Sequence, residues 1–140
     1  MTRKRLPPSD PREWLNRAKS NLALASNVIP DVDFEDFCFD AQQCAEKAIK
    51  AIFVGRGETF PFIHDLEELL GLLQRNGLKI PKYILVAEEL SPYAAKTRYP
   101  GMADPVTRRE YRRAVRIATA VLRWAERQVA ADAKKPGGKK

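Results

Sequence analysis

A chain of 140 residues is long enough for one domain with a single hydrophobic core, so neither disulfides nor a metal is needed to hold it together. No apolar run approaches the ~20 residues of a membrane span, and no apolar segment follows the basic start MTRKRLPP, which makes a cytoplasmic protein without a membrane partner the expectation. The formal charge of +7 is concentrated at the ends: Arg3, Lys4 and Arg5 supply three of the charges, and Lys134, Lys135, Lys139 and Lys140 less Asp132 supply three more, leaving residues 9–131 at +1. The expected organisation is a basic arm over 1–8, a helical domain over 9–131 and a flexible basic tail over 132–140, both ends being solvated.

Asp10 followed by Pro11 and, three residues on from the cap, Glu13 predicts a helix opened by a capping box. Trp14, Leu15, Ala18, Leu22, Ala25 and Ile29 form its apolar stripe to about Val28, before Pro30 and an acidic loop. The second helix, Phe34 to Val54, is the central one. At about 100° per residue Phe37, Ala41, Cys44, Ala45, Ala48, Ala51 and Ile52 share one arc, and Asp36, Asp40, Gln43, Lys47 and Lys50 the opposite one. Phe39 and Phe53 project from the polar edge and are read as anchors for a partner. Cys38 and Cys44 are roughly 9 Å apart along the helix, too far for a bridge, and read as buried thiols.

Gly55-Arg56-Gly57 stops this helix, and the connection ETFPFIHDL is expected to fold Phe60, Phe62 and Ile63 over the core. Leu66, Leu69, Leu70 and Leu73 then mark a short helix ending at Asn76-Gly77. Pro81 starts a fourth helix with Ile84, Leu85, Ala87 and Leu90 inward, interrupted at Ser91-Pro92. Thr107 and Glu110 open a long last helix to about Ala131 with Tyr111, Val115, Ala118, Leu122, Ala125 and Val129 as its core stripe. The fold class is all-α, an antiparallel bundle of about five helices.

Three constellations carry chemistry. Arg109, Arg112, Arg116, Arg123 and Arg127 share a roughly 60° arc of the last helix, able to track phosphates or, equally, to form a solvated face balanced by Asp31, Asp33, Glu35, Asp36 and Asp40. His64 beside Asp65 is either an oriented acid/base imidazole or a flank to the helix cap Asp65, with Glu68 completing the box. In Lys96-Thr97-Arg98-Tyr99-Pro100-Gly101, Arg98 can fork onto a phosphate while Tyr99 stacks or donates. One His and two separated Cys give no metal-ligand spacing, and no cofactor motif is present.

Taken together, WLNRAKSNL, FDAQQCAEKAIKAIFVGRG, HDLEELL and the late TRYPG before a long last helix resemble the HEPN domain family, over residues 12 to about 129. The resemblance implies a homodimeric helical bundle, often paired with a minimal nucleotidyltransferase partner in toxin-antitoxin systems. It also implies, for many members, metal-independent ribonuclease activity from an arginine followed after about four to six residues by a histidine. Arg98 matches that arginine, but Ala103, Asp104 and Pro105 stand where the histidine belongs. His64 follows Arg56 with seven residues between, which also misses the pattern.

The expectation is therefore a dimer that binds RNA or a nucleotide through Arg98, Tyr99, Lys96 and His64, with ribonuclease activity absent or weak. The alternatives are an active RNase toxin using Arg98 and a protein-protein interaction module. Phe39, Gln42, Gln43 and Glu46 are the expected dimer face of the central helix.

Overall fold

The computed structural model describes residues 3–95 and 99–134. Its elements are α1 (Pro11–Ser26), α2 (Phe34–Gly55), α3 (Leu66–Arg75), α4 (Lys82–Leu85) continuing as 3-10 turns over Val86–Ala94, and α5 (Arg108–Lys134). No strand occurs among the described residues. The all-helical bundle of about five helices is the fold.

Helix starts follow the local chemistry. Asp10 caps α1 by accepting from the Arg12 amide at 2.9 Å, while Thr107 and Glu110 cap α5 reciprocally, the Thr107 amide donating to Glu110 at 2.9 Å and the Glu110 amide to Thr107 Oγ1 at 3.1 Å. The expected box at α1 is only half formed. Glu13 turns away from the cap to the basic arm, where both oxygens receive the Arg3 guanidinium at 2.8 and 2.9 Å and Oε1 also receives the Leu6 amide at 3.1 Å. The arm from Arg3 to Pro8 is therefore anchored through Arg3 and the Leu6 amide, because a buried carboxylate needs those donors, while most of its residues remain exposed to solvent.

Two helix ends are built alike. At α2, Gly57 (φ +71°) follows the cap Arg56, its amide reaches Val54 O at 3.1 Å, and the Glu58 amide reaches Phe53 O at 2.9 Å. At α3, Gly77 (φ +99°) does the same, with the Gly77 amide on Gln74 O and the Leu78 amide on Leu73 O, both 3.0 Å. These are Schellman closures, and glycine supplies the left-handed residue each requires. The two ends are latched together: Arg56 donates to Glu58 (3.0 Å) and to Asn76 O (3.1 Å), and Asn76 Nδ2 donates to the other Glu58 oxygen (3.0 Å).

The latch reveals the direction of α3. Its last residues lie at the end of α2, whereas its start lies two turns or more back along α2, where Gln42 reaches the His64 carbonyl. The extended connector 56–65 thus doubles back and α3 runs with α2. So does α5, since Phe34 stacks on Tyr111, Cys44 faces Ala118, and Gly55 faces Val129. Antiparallel pairing holds for α1 against α2, with Pro11 at Gly55, and for α4 and its 3-10 continuation against α5, with Tyr83 at Arg127 and Glu89 at Arg113.

The core lies around α2, whose Ala41, Ala45, Ala48 and Ala51 are fully buried and let α1 and α5 approach closely. Several expectations change here. Phe53, read as a partner anchor, is 0% exposed and packs on Phe60, and Lys50, placed on the polar arc, is also buried. The helix is covered on more of its circumference than a two-helix packing would require. Phe62, expected over the core, is 95% exposed, and only Phe60 and Ile63 of that connector pack inward. Ile29 is half-exposed because α1 ends at Ser26, where Asn27 Nδ2 donates to the Ala23 carbonyl. Ser91-Pro92 does not break the fourth element but runs through as 3-10 turns, with Ser91 Oγ accepting the Leu66 amide at 2.9 Å. Cys38 and Cys44 are buried and free, and burial pushes both thiols up to about 12, so they stay neutral.

Truncating Phe53 to alanine should cost about 3–5 kcal/mol in urea unfolding, the value for emptying an aromatic core site. A loss below about 1 kcal/mol would show that Phe53 is not a core residue.

Candidate functional site

Gln42, Glu46 and Lys50 stand at i, i+4 and i+8 on one side of α2, which the connector covers. Glu46 is 4% exposed, and a carboxylate there is tolerable only with a full set of donors. Lys50 Nζ lies 2.8 Å from Oε2, Gln42 Nε2 lies 2.9 Å from Oε1, and His64 Nδ1 lies 3.0 and 3.2 Å from the two oxygens. Gln43 donates to Gln42 Oε1 at 2.7 Å, extending the chain of donors, and Gln42 also donates to the His64 carbonyl at 3.2 Å. Lys50 sits 5.1 Å over the Phe60 ring, which shields the buried ammonium. Burial acts to raise the Glu46 carboxyl, but the bonds from Lys50, Gln42 and His64 outweigh it and hold the group below its ordinary value.

His64 faces the other way. Its side chain is 68% exposed although its anchor is buried. With Glu46 ionised, Nδ1 carries the proton that bonds the carboxylate, and Nε2 is the nitrogen left for a ligand. Asp65, the other reading's partner for His64, instead caps α3 by accepting the Glu68 amide at 3.2 Å. The imidazole is thus oriented by a residue 18 positions away in sequence rather than by its neighbour. The glutamate is visible in the sequence only as part of a spacing, QQxxExxxK, in which three polar residues recur every four positions on a helix otherwise lined with alanine.

The other expected site residues are dispersed. Lys96, Thr97 and Arg98 lie outside the described residues. Tyr99 is 59% exposed, and no hydrogen bond or ring contact joins it to His64. Arg109, Arg112, Arg116, Arg123 and Arg127 are all exposed along α5. Arg127 donates to the Tyr83 hydroxyl at 3.1 Å, and among the described residues no ion pair joins any of the five to the acidic group Asp31, Asp33, Glu35, Asp36 and Asp40. Two of those acids are engaged elsewhere, Glu35 by the Val106 amide and Asp40 by Asn21. Of the expected dimer face, Gln42 and Glu46 are buried within the chain, while Phe39 and Gln43 are half-buried.

Larger hollows lie away from these residues. A groove of about 670 Å³, beginning at Asp65 beside His64, is lined by Asp65, Glu67, Glu68 and Glu88 against the single cation Arg75, an acidic balance that disfavours phosphate. A mainly apolar one of about 750 Å³ lies where the start of α1 meets the ends of α2 and α5. Among the described residues no group of three or more His, Cys, Asp and Glu is arranged to hold a metal, and no helix is long and apolar enough to cross a membrane.

Comparison with known proteins points one way. The family model for the HEPN domain matches residues 11–128. The crystal structure of TT1696 from Thermus thermophilus is similar with 31% sequence identity and a TM-score of 0.76, covering 86% of this chain and 98% of that one. The structure of ST0689, described as an archaeal HEPN homologue, is similar with 27% identity and a TM-score of 0.70, covering 91% of this chain and 99% of the other. No curated protein sequence matches the chain.

The depressed Glu46 carboxyl has a measurable consequence. Its contribution to stability is complete above the ordinary value of 4.5 and is lost as pH falls through the lower folded value. Urea midpoints measured from pH 7 downward should therefore fall less steeply in Glu46→Gln than in the parent, with Glu46→Gln the less stable at neutral pH. Parallel curves would mean that the carboxyl is not held in its charged form.

Proposed function

Because the chain belongs to the HEPN domain family, we propose that it acts as a homodimer that binds RNA or a nucleotide. In this reading it is one component of a toxin-antitoxin or other nucleotidyltransferase-linked pair, and its own ribonuclease activity is absent or weak. The observation that carries the reading is the arginine face of α5. Four of its guanidiniums, Arg109, Arg112, Arg116 and Arg123, take no ion-pair or hydrogen-bond partner among the described residues, so their charge is available to phosphates. In the sequence Lys96 and Arg98 add two more basic residues ahead of α5, and Tyr99 offers an exposed ring on which a base can stack.

The missing motif histidine after Arg98 supports weak catalysis. His64 favours a second reading, an active metal-independent ribonuclease, because an exposed imidazole anchored on a buried carboxylate is suited to moving a proton at the 2′-oxygen or the leaving oxygen. Arg98 would then steady the charge that develops on the phosphorus oxygens.

Single-stranded RNA titrated by fluorescence anisotropy separates the readings. Affinity should fall as salt rises, and Arg112→Ala with Arg116→Ala should each reduce the logarithmic salt slope by about 0.7. No binding at low salt would remove RNA as the ligand. Cleavage in the presence of a chelator that is lost in both Arg98→Ala and His64→Ala would establish the ribonuclease. Sedimentation should show a dimer in the parent chain and monomers in Phe39→Glu, and an undisturbed dimer would place the interface away from Phe39 and Gln43.

A further inference from the structure

The docked arm creates a basic hollow that none of the roles above uses. It measures about 320 Å³, within the ~300–1,000 Å³ typical of small-ligand sites, and is bounded by the arm, by Trp14 and Arg17 of α1 and by Lys47 of α2. Glu13 lies at its edge, but that carboxylate is saturated. Oε1 accepts from Arg3 and the Leu6 amide, and Oε2 accepts from Arg3 and Arg17 Nε.

What remains is an excess of cationic donors. Arg17 bonds Glu13 through Nε, and its two terminal amino groups take no partner among the described residues, while Arg5 approaches Glu13 no closer than 4.0 Å with its side chain 58% exposed. Lys47 Nζ donates to the side-chain Oδ1 of Asn21 at 2.7 Å, and Asn21 Nδ2 in turn donates to Asp40 at 3.2 Å. Burial, and after it the charge of Arg17, press the Lys47 ammonium below its ordinary value, and an anion seated between the two cations would offset their repulsion. The opposite wall is apolar: Leu6, Pro8 and the Trp14 indole, the last fixed by its Nε1 donating to the Pro8 carbonyl at 2.8 Å and by an edge contact with Phe60 at 5.5 Å.

We infer that this hollow binds a phosphate monoester carrying a flat organic group, which is the chemistry of a nucleoside monophosphate, with the phosphate between Arg5, Arg17 and Lys47 and the base against Trp14. Three donors of this kind suit a dianion better than a carboxylate, and the two guanidiniums offer the forked geometry phosphate accepts. The indole gives a stacking surface that any base can use. The source is either a free nucleotide or the phosphorylated 5′ end of an RNA strand. Neither depends on the arginine face of α5, which lies on another element.

Trp124→Phe leaves Trp14 as the single tryptophan and makes its fluorescence a direct readout. Adenosine 5′-monophosphate should saturate the signal at least tenfold more tightly than either adenosine or inorganic phosphate. Arg5→Ala and Lys47→Gln, neither of which removes a Glu13 bond shorter than 4.0 Å, should each weaken it at least threefold with the circular dichroism unchanged. Arg112→Ala with Arg116→Ala should leave this titration unaltered even where RNA binding is reduced. A 5′-phosphorylated RNA binding at least tenfold more tightly than its 5′-hydroxyl counterpart, with Arg5 required, assigns the site to strand ends, and equal binding of the two RNAs assigns it to free nucleotide. Absence of a saturable Trp14 response to adenosine 5′-monophosphate, equal binding of adenosine, or indifference to both variants would overturn the site.

Discussion

The buried carboxylate of Glu46 constrains more of this molecule than any other group. An ionised carboxyl at 4% exposure survives only if donors reach it from several directions, and here α2 alone cannot supply them. Lys50 and Gln42 come from its own helix, but His64 must come from the connector, and it arrives at a point two turns or more before the helix end. The connector therefore has to run back along α2. Its return path determines where α3 begins, which in turn allows α3 to lie alongside α2 in the same direction.

The same path decides which aromatic rings are hidden. Phe60 is drawn under the connector by Lys50 on one side and Trp14 on the other, while Phe62, two residues on, is turned outward. The connector is tethered at both ends, by the Arg56–Glu58–Asn76 latch at one and by His64 at the other. A fixed imidazole at the mouth of such a segment owes its orientation to structure that is far from it in sequence.

Much of the fold is legible in the sequence because its signals are local. Capping residues, glycine stops and the leucine stripe of α3 each act within a few positions, and apart from Glu13 of the α1 box they appear where their spacing puts them. The errors share a cause: they concern groups whose partners are distant. Phe53 and Lys50 read as outward because two packing neighbours account for only part of a helix, and nothing in the helix itself announces that a connector covers a third side. Glu13 reads as part of its own cap because its true donors, Arg3 and the Leu6 amide, belong to an arm whose composition suggests no structure. His64 pairs with the adjacent Asp65 on paper for the same reason, and its real partner lies 18 residues upstream. For Arg98 and Lys96 the described residues add nothing, so that half of the expected site rests on the sequence motif and on the family.

That α2 and α5 run the same way has an electrostatic consequence. Two long helices side by side with a common direction place two positive dipole ends together and two negative ends together, and α1 running against them offsets only part of this. The ionic groups suit this at the start of α2 but not at the start of α5, where Arg108, Arg109, Arg112 and Arg113 surround Glu110. Asp33, Glu35 and Asp36 gather at the start of α2, with Glu110 in the first turn of α5, whereas the docked Arg3 and Arg5 and the terminal Lys134 gather at the opposite pole. Asp33, Glu35 and Asp36 of the acidic group thus sit at the positive end of the α2 dipole, whatever their relation to the arginine face.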